Sequence, residues 1–195
     1  MKHRGLIMFA AGLTAALAVG WFFFPFALYK TIEQPLQFSH KIHTGETAGL
    51  PCEECHTVTA DGRFTGIPTV EKCAGCHSQT LGNSPDEKRL VDEYVTPKRE
   101  IPWLVYSRQP DNVYFSHAQH VKLGGLTCDK CHRDHGSSES LRPYQENRIT
   151  GYSRDIWGQN ISGIHAKPGG GMKMDDCSDC HKSNHVAESC IDCHK

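Results

Sequence analysis

Residues 6–28, LIMFAAGLTAALAVGWFFFPFAL, run without an ionisable side chain, and no other segment of the chain is as apolar or as long. About 20 such residues span a bilayer core as a helix, so this run predicts a transmembrane anchor over residues 1–30. Lys2 and Arg4 precede it, which places the N-terminus in the cytoplasm and everything after Tyr29 outside. A cleaved signal peptide is the rival reading, because Ala16-Leu17-Ala18 resembles a cleavage site. Against it, the apolar run continues past Ala18 through Trp21, Phe22, Phe23, Phe24 and Phe26. Gly12, Ala16 and Gly20 form a small-residue stripe suited either to a neighbouring helix or to no partner.

Beyond residue 30 the pattern changes. Long stretches with helical or strand periodicity are scarce, and short helices in irregular chain are predicted instead. Ser84, Pro85 and Glu87 stand where an N-cap, N1 and N3 would, so a short helix is expected from Ser84 to about Val95, ended by Thr96-Pro97. IPWLVYSRQP then reads as an extended connector in which Trp103 packs on a cofactor or a neighbour. Residues 133–176 lack cysteine, and their aromatic and arginine content suits a wrapping or docking surface with Gly169-Gly170-Gly171 as a hinge.

Charge narrows the partners. Of 21 basic residues, Lys2, Arg4 and Lys30 lie in the first 30, leaving 18 against 22 acidic ones in the exported part. A mild acidic excess with no basic stripe argues against nucleic-acid binding.

The chemistry lies in the ten cysteines. All fall in five Cys-x-x-Cys-His motifs: Cys52/Cys55/His56, Cys73/Cys76/His77, Cys128/Cys131/His132, Cys177/Cys180/His181 and Cys190/Cys193/His194. Cys-x-x-Cys alone suits zinc, a redox disulfide or haem c, and the following histidine separates them. With 13 histidines in 195 residues, its recurrence after all five pairs by chance is on the order of one in a million. On a helical turn the two thiols and the imidazole share a face, so the thiols can bind the porphyrin vinyls while the histidine reaches the iron. Five covalent c-type haems (iron) are expected, with those five histidines as proximal ligands. About 165 residues shared among five haems leaves ~33 each, so porphyrins must supply much of the apolar interior.

An internal repeat supplies the opposite faces. PLQFSHKIHTGETAGLPCEECH at 35–56 aligns with NVYFSHAQHVKLGGLTCDKCH at 112–132. Each carries Phe-Ser-His-x-x-His before its Cys-x-x-Cys-His, so His40, His43, His117 and His120 are expected as distal ligands. On one turn such a pair can point at two haems. The fifth distal ligand is sought in His135 or His185, then His165, with Met172 and Met174 as competitors. The resulting organisation is an anchor at 1–30, a dihaem module at 31–80, a linker with a short helix at 81–111, and a trihaem module at 112–195 containing the loop 133–176.

These motifs resemble class III cytochromes c, the bis-histidine multihaem group. The fuller set, QFSHKIHTG with CEECH, IPTVEKCAGCH, REIPW and PDNVYFSHAQHVKLGGLTCDKCH, is similar to the multihaem subunit shared by alternative complex III and menaquinone reductase. ENRITGYSRDIWG and MKMDDCSDCH look closer to the menaquinone reductase type. The resemblance implies a multihaem cytochrome c fold, mostly irregular with short α-helices around stacked haems. It implies a periplasmic haem domain on the cytoplasmic membrane and an electron-transfer role without substrate chemistry. The implied partners are a polytopic quinone-binding subunit, an iron–sulfur subunit, a molybdopterin-family-like subunit and a soluble periplasmic multihaem cytochrome c. A sixth haem would be expected of the menaquinone reductase type, and the cysteines provide for five. In alternative complex III the current runs from quinol to a periplasmic acceptor. A stand-alone quinol dehydrogenase with one anchor and a multihaem reductase are the other function classes.

Overall fold

The computed structural model describes residues 2–105, 107–154 and 172–195; Trp157, His165 and the Gly169–Gly171 hinge lie outside them. The first element is α1, Lys2–Ala18, which continues through a wider-wound turn at Val19–Phe23 and a last turn at Phe24–Ala27. Arg4–Phe23 is long and apolar enough to cross a membrane, with a mean hydropathy of 2.1 and its side chains turned outward. Bundled α-helices bury such side chains, and an anchor or a signal helix leaves them to lipid.

Strand β1, Tyr29–Ile32, follows at once and pairs antiparallel with β2, Tyr144–Asn147. The register sets Tyr29 opposite Asn147 and Lys30 opposite Glu146, with a 2.6 Å ion pair between the latter two. Asn147 is buried and its side-chain oxygen accepts from the Ile149 and Thr150 amides, which turns the chain back after β2. Nothing in the local pattern announced this ladder, because two four-residue strands over 100 residues apart are too short for periodicity to register.

One-turn helices follow: α2, His40–Thr44, carries the first His-x-x-His pair, while α3, Cys52–Cys55, and α4, Val70–Ala74, carry cysteines of the first two motifs. The predicted helix after Ser84 forms as α5, Pro85–Arg89, and a wider-wound turn at Leu90–Val95. Its capping differs from expectation. The Ser84 side chain makes no cap bond, and Glu87 turns away from the helix start toward His77. Among the described residues the remaining short helices are α6, the wide turn Ala118–Leu123; α7, Cys128–His132, which runs into a tighter turn at Arg133–Ser137; α8, Met174–Ser183; and α9, Cys190–Cys193.

Among the described residues the apolar core is small: Leu36, Val70, Tyr94 and Ile101, with Trp103, Leu90, Val95 and Cys73 packed on it. Trp103 therefore lies on this cluster. The segment 81–111 is sewn to the first module by polar ties as well. Gln34 exchanges two hydrogen bonds with the Leu104 backbone, and the Val70 amide at the start of α4 donates to Glu100. Four to five side chains are far too few to order a domain of this size alone, which agrees with an interior completed by bound groups.

A hairpin between the first two cysteine motifs joins the modules. Val58 bridges Phe64, and the Thr59 hydroxyl accepts from the Arg63 amide. Gly62, at φ +88°, presses on α6, where an added Cβ would lie 3.0 Å from the Ala118 Cα. The Lys122 ammonium donates to the Ala60 carbonyl from the same helix.

Candidate haem-binding sites

The Cys-x-x-Cys-His motifs lie at or just after the point where extended chain turns into helix: Cys52, Cys128 and Cys190 open their helices, while Cys73 and Cys177 are the fourth residues of theirs. Pro51, Thr69, Thr127 and Ser189 all hold β-region angles ahead of their helices. Acidic residues fill the first turns, Glu53 and Glu54, Glu71, Asp129, Asp175 and Asp176, and Asp192, where the helix dipole favours negative charge. The turn closes as the amide of the histidine donates to the carbonyl of the first cysteine, at 2.8 Å for His56 and His77 and 2.9 Å for His194. Two thiols and one imidazole are thereby held on a single turn at each site.

The Phe-Ser-His-x-x-His segments build the facing halves, and they do so twice in the same way. Ser39 caps α2, its hydroxyl accepting from the Ile42 amide at 3.3 Å; the Ser116 hydroxyl accepts from the Gln119 amide at 3.4 Å. The carbonyl of the same serine accepts from the second histidine of each pair, His43 Nδ1 at 2.8 Å and His120 Nδ1 at 2.8 Å. That bond fixes the tautomer and leaves Nε2 free to ligate. The preceding phenylalanine wedges the pair apart. Phe38 stacks on His43 at 4.3 Å and stands edge-on to His40 at 4.9 Å; Phe115 stacks on His120 at 4.9 Å and stands edge-on to His117 at 4.8 Å. These roles of Phe and Ser were visible in the repeat as letters without a function.

The decisive geometry is how the histidines face one another. His40 faces His56 with ring centres 6.5 Å apart, His43 faces His77 at 6.2 Å, His117 faces His132 at 6.5 Å, and His120 faces His181 at 6.2 Å. A metal–imidazole bond of about 2.0 Å, plus about 1.2 Å from nitrogen to ring centre, doubled across one metal, spans about 6.4 Å. Each gap therefore fits one iron between two imidazoles. Rings in van der Waals stacking would sit closer, and the described residues contain no cluster of three His, Cys, Asp or Glu able to hold a bare ion. Four of the five motif histidines thus meet one of the repeat histidines.

At three of these imidazoles burial disfavours the charged form, as metal ligation would require. His40 is pushed down to about 4 by burial, then by the nearby His135, His56 and His43. Burial also lowers His117 and His132, with neighbouring imidazoles adding to it. The thiols move the other way. Burial raises Cys55, Cys73, Cys128, Cys131 and Cys177, and the secondary causes, among them Cys76 for Cys55 and Cys180 for Cys131, show adjacent motifs in reach of each other.

His135 and His185 are placed differently. The His135 ring is 4.8 Å from His40, too close for a metal between them. His185, at φ +57°, lies on the exposed link from α8 to α9. Met172 and Met174 begin the α8 segment, with Met174 exposed, and His165 is outside the described residues. His194 is set against the start of the second repeat by the Val113 bridge and by the bond from the Tyr114 amide to the Cys193 carbonyl.

Paired imidazoles opposite haem-attachment turns are the signature of a bis-histidine cytochrome c, and the comparisons with known proteins agree. Residues 26–100 match the class III cytochrome c family. The chain is 41% identical to the menaquinone reductase multihaem cytochrome c subunit of Nitratidesulfovibrio vulgaris strain Hildenborough, covering 98% of this chain and 90% of that one. The chain belongs to this family of multihaem cytochrome c subunits. It is an electron-transport protein that binds haem c covalently. Short helices and one N-terminal apolar helix are the fold expected from sequence, and both are present.

Proposed function

We infer that this chain is a membrane-anchored pentahaem cytochrome c. It carries electrons between a soluble periplasmic multihaem cytochrome c and the menaquinone site of a multi-subunit membrane quinone oxidoreductase. The observation that carries the reading is the set of four imidazole pairs spaced 6.2–6.5 Å apart, each joining a motif histidine to a repeat histidine. Haem c held there supplies one-electron redox chemistry at the low potential of bis-histidine ligation.

The chain's residues set those four sites in a row. α2 carries both His40 and His43, so it ties the His56 site to the His77 site; α6 and its N-cap His117 tie the His132 site to the His181 site through His120. Phe64 joins the two halves, its ring 5.9 Å from His56 and 4.7 Å from His117. The order is therefore His77, His56, His132, His181, with the His194 site at the far end beside Val113. For His194, His185 is the proposed opposite ligand ahead of His135, whose ring already lies against His40. The role needs no substrate site of its own. The partners it implies are a polytopic quinone-binding subunit, an iron–sulfur subunit and a molybdopterin-family-like subunit, with α1 as a single-pass anchor in the cytoplasmic membrane.

Gentle detergent extraction of native membranes, with identification of whatever accompanies the haem-stained band, tests this. The mass of the chain should exceed the polypeptide mass by five haems. A polytopic subunit and an iron–sulfur protein should accompany it. A chain that emerges alone and oxidises menaquinol would replace the complex with a stand-alone quinol dehydrogenase.

A further inference from the structure

We propose that Glu87 is a positioning and potential-setting residue: its carboxylate holds the His77 imidazole and makes the His77 haem more reducing than it would be with a neutral partner. The inference rests on the reading of His77 as an iron ligand. His77 Nδ1 donates to Glu87 Oε1 at 2.9 Å, and both side chains are largely sheltered, at 18% and 13% exposure. The carboxylate is itself fixed. Oε1 also accepts from the Leu81 amide at 2.8 Å, and Oε2 accepts from the Gly82 amide at 2.9 Å.

No other motif histidine makes an equivalent carboxylate hydrogen bond among the described residues. His56 Nδ1 is buried without a hydrogen bond, and Glu188 stands 3.5 Å from His181 Nδ1, beyond good hydrogen-bond length. Of the distal histidines, His43 and His120 donate to serine carbonyls and His40 pairs with the Ser138 hydroxyl at 3.1 Å, all neutral oxygens. A carboxylate on Nδ1–H pulls the proton toward itself and leaves Nε2 a stronger electron donor, which favours the ferric state. A carbonyl does this weakly. The site at one end of the row therefore differs electronically from its neighbours through one side chain.

This role also explains why Glu87 abandons the helix start that Ser84 and Pro85 prepare. At N3 it would serve a cap; in the structure it leaves that cap unmade and bonds the loop 81–82 and His77 together.

The test is a potentiometric titration of the full haem-loaded chain, by visible spectra and EPR, for the wild type and Glu87→Gln. The expected result is that one haem of five moves to higher potential and four stay. At the wild-type midpoint, its oxidised-to-reduced ratio should fall about tenfold, equal to ~59 mV for one electron. Repeating the substitution in a His43→Met background identifies the haem, because methionine raises the potential of the site opposite His77, and that same haem should carry both shifts. Five unchanged midpoints in Glu87→Gln overturn the proposal. If Glu87→Gln fails to load five haems, Glu87→Asp decides, since it keeps the charge but withdraws it by one methylene and should give a smaller upward shift. Failure of both to load assigns Glu87 to folding alone and also overturns it. A wild-type chain without five haems, or a His43→Met variant in which no haem moves, would instead overturn the ligand assignment beneath it.

Discussion

Gly62→Ala should loosen the joint between the two halves of the cytochrome. Gly62 has φ +88° and is buried against α6, where a new Cβ would meet the Ala118 Cα, the Ala118 Cβ and the Lys122 Cβ, each at 3.0 Å. Forcing an L-residue into left-handed backbone costs roughly 1–2 kcal/mol. The contacts add an overpacking cost of roughly 1–3 kcal/mol, because the Ala118 Cα is main chain and cannot swing aside. The middle of that sum, about 3.5 kcal/mol, corresponds to a fall in Tm of about 7–14 °C for a chain of this size. Gly66→Ala is the control. It has φ +108° and open space around the added Cβ, so it carries the backbone cost without the contact. Thermal melts followed by Soret circular dichroism, which reports how the haems sit relative to one another, should show Gly62→Ala melting well below Gly66→Ala. If the two variants melt together, the hairpin does not dock on α6 as described and the route through Phe64 loses its support.

Three further outcomes follow from the same geometry. Leu36→Ala should cost about 2–5 kcal/mol, since Leu36 is only 3% exposed and touches a cluster of few members; an unchanged Tm would show that bound groups alone order this end. Ser39→Ala and Ser116→Ala should each cost about 1 kcal/mol through loss of the hydroxyl's bond to a first-turn amide, by matching amounts in the two repeats, because their hydroxyls make equivalent bonds; unequal losses in paired melts would break the structural equivalence. His120→Met should leave the haem count by mass unchanged, since the thioethers of Cys177 and Cys180 remain, while one midpoint rises; loss of a haem, or no shift, would remove His120 from the ligand set.

Much of the candidate site was legible because its signals are local. A Cys-x-x-Cys-His turn needs only one helical turn to bring its groups to one face, and the repeated His-x-x-His needs only another. The apolar run at 6–28 declares itself by length. Glu87 shows where local reading stops. Its position three residues after Ser84 suggests a capping role, and only the fold brings His77 close enough to take its carboxylate. Trp103 is similar: its aromatic character leaves open whether it packs on a cofactor or a neighbour, and only the fold sets it against Leu36, Val70, Tyr94 and Ile101.

The amino-acid sequence by itself determined the kind of chemistry, the family and the ligands available, since covalent attachment and imidazole supply depend on spacing within a few residues. Tertiary structure alone decided which histidine faces which. His40 and His56 are 16 residues apart, while His120 and His181 are 61 apart, and no local rule relates such separations. It also decided that β1 meets β2, that the 58–64 hairpin seats Gly62 on α6, and that a carboxylate reaches one proximal imidazole. The physical reason is that which imidazoles meet is set by where separate short helices are held. In a chain with so small an apolar core, contacts distant in sequence hold them.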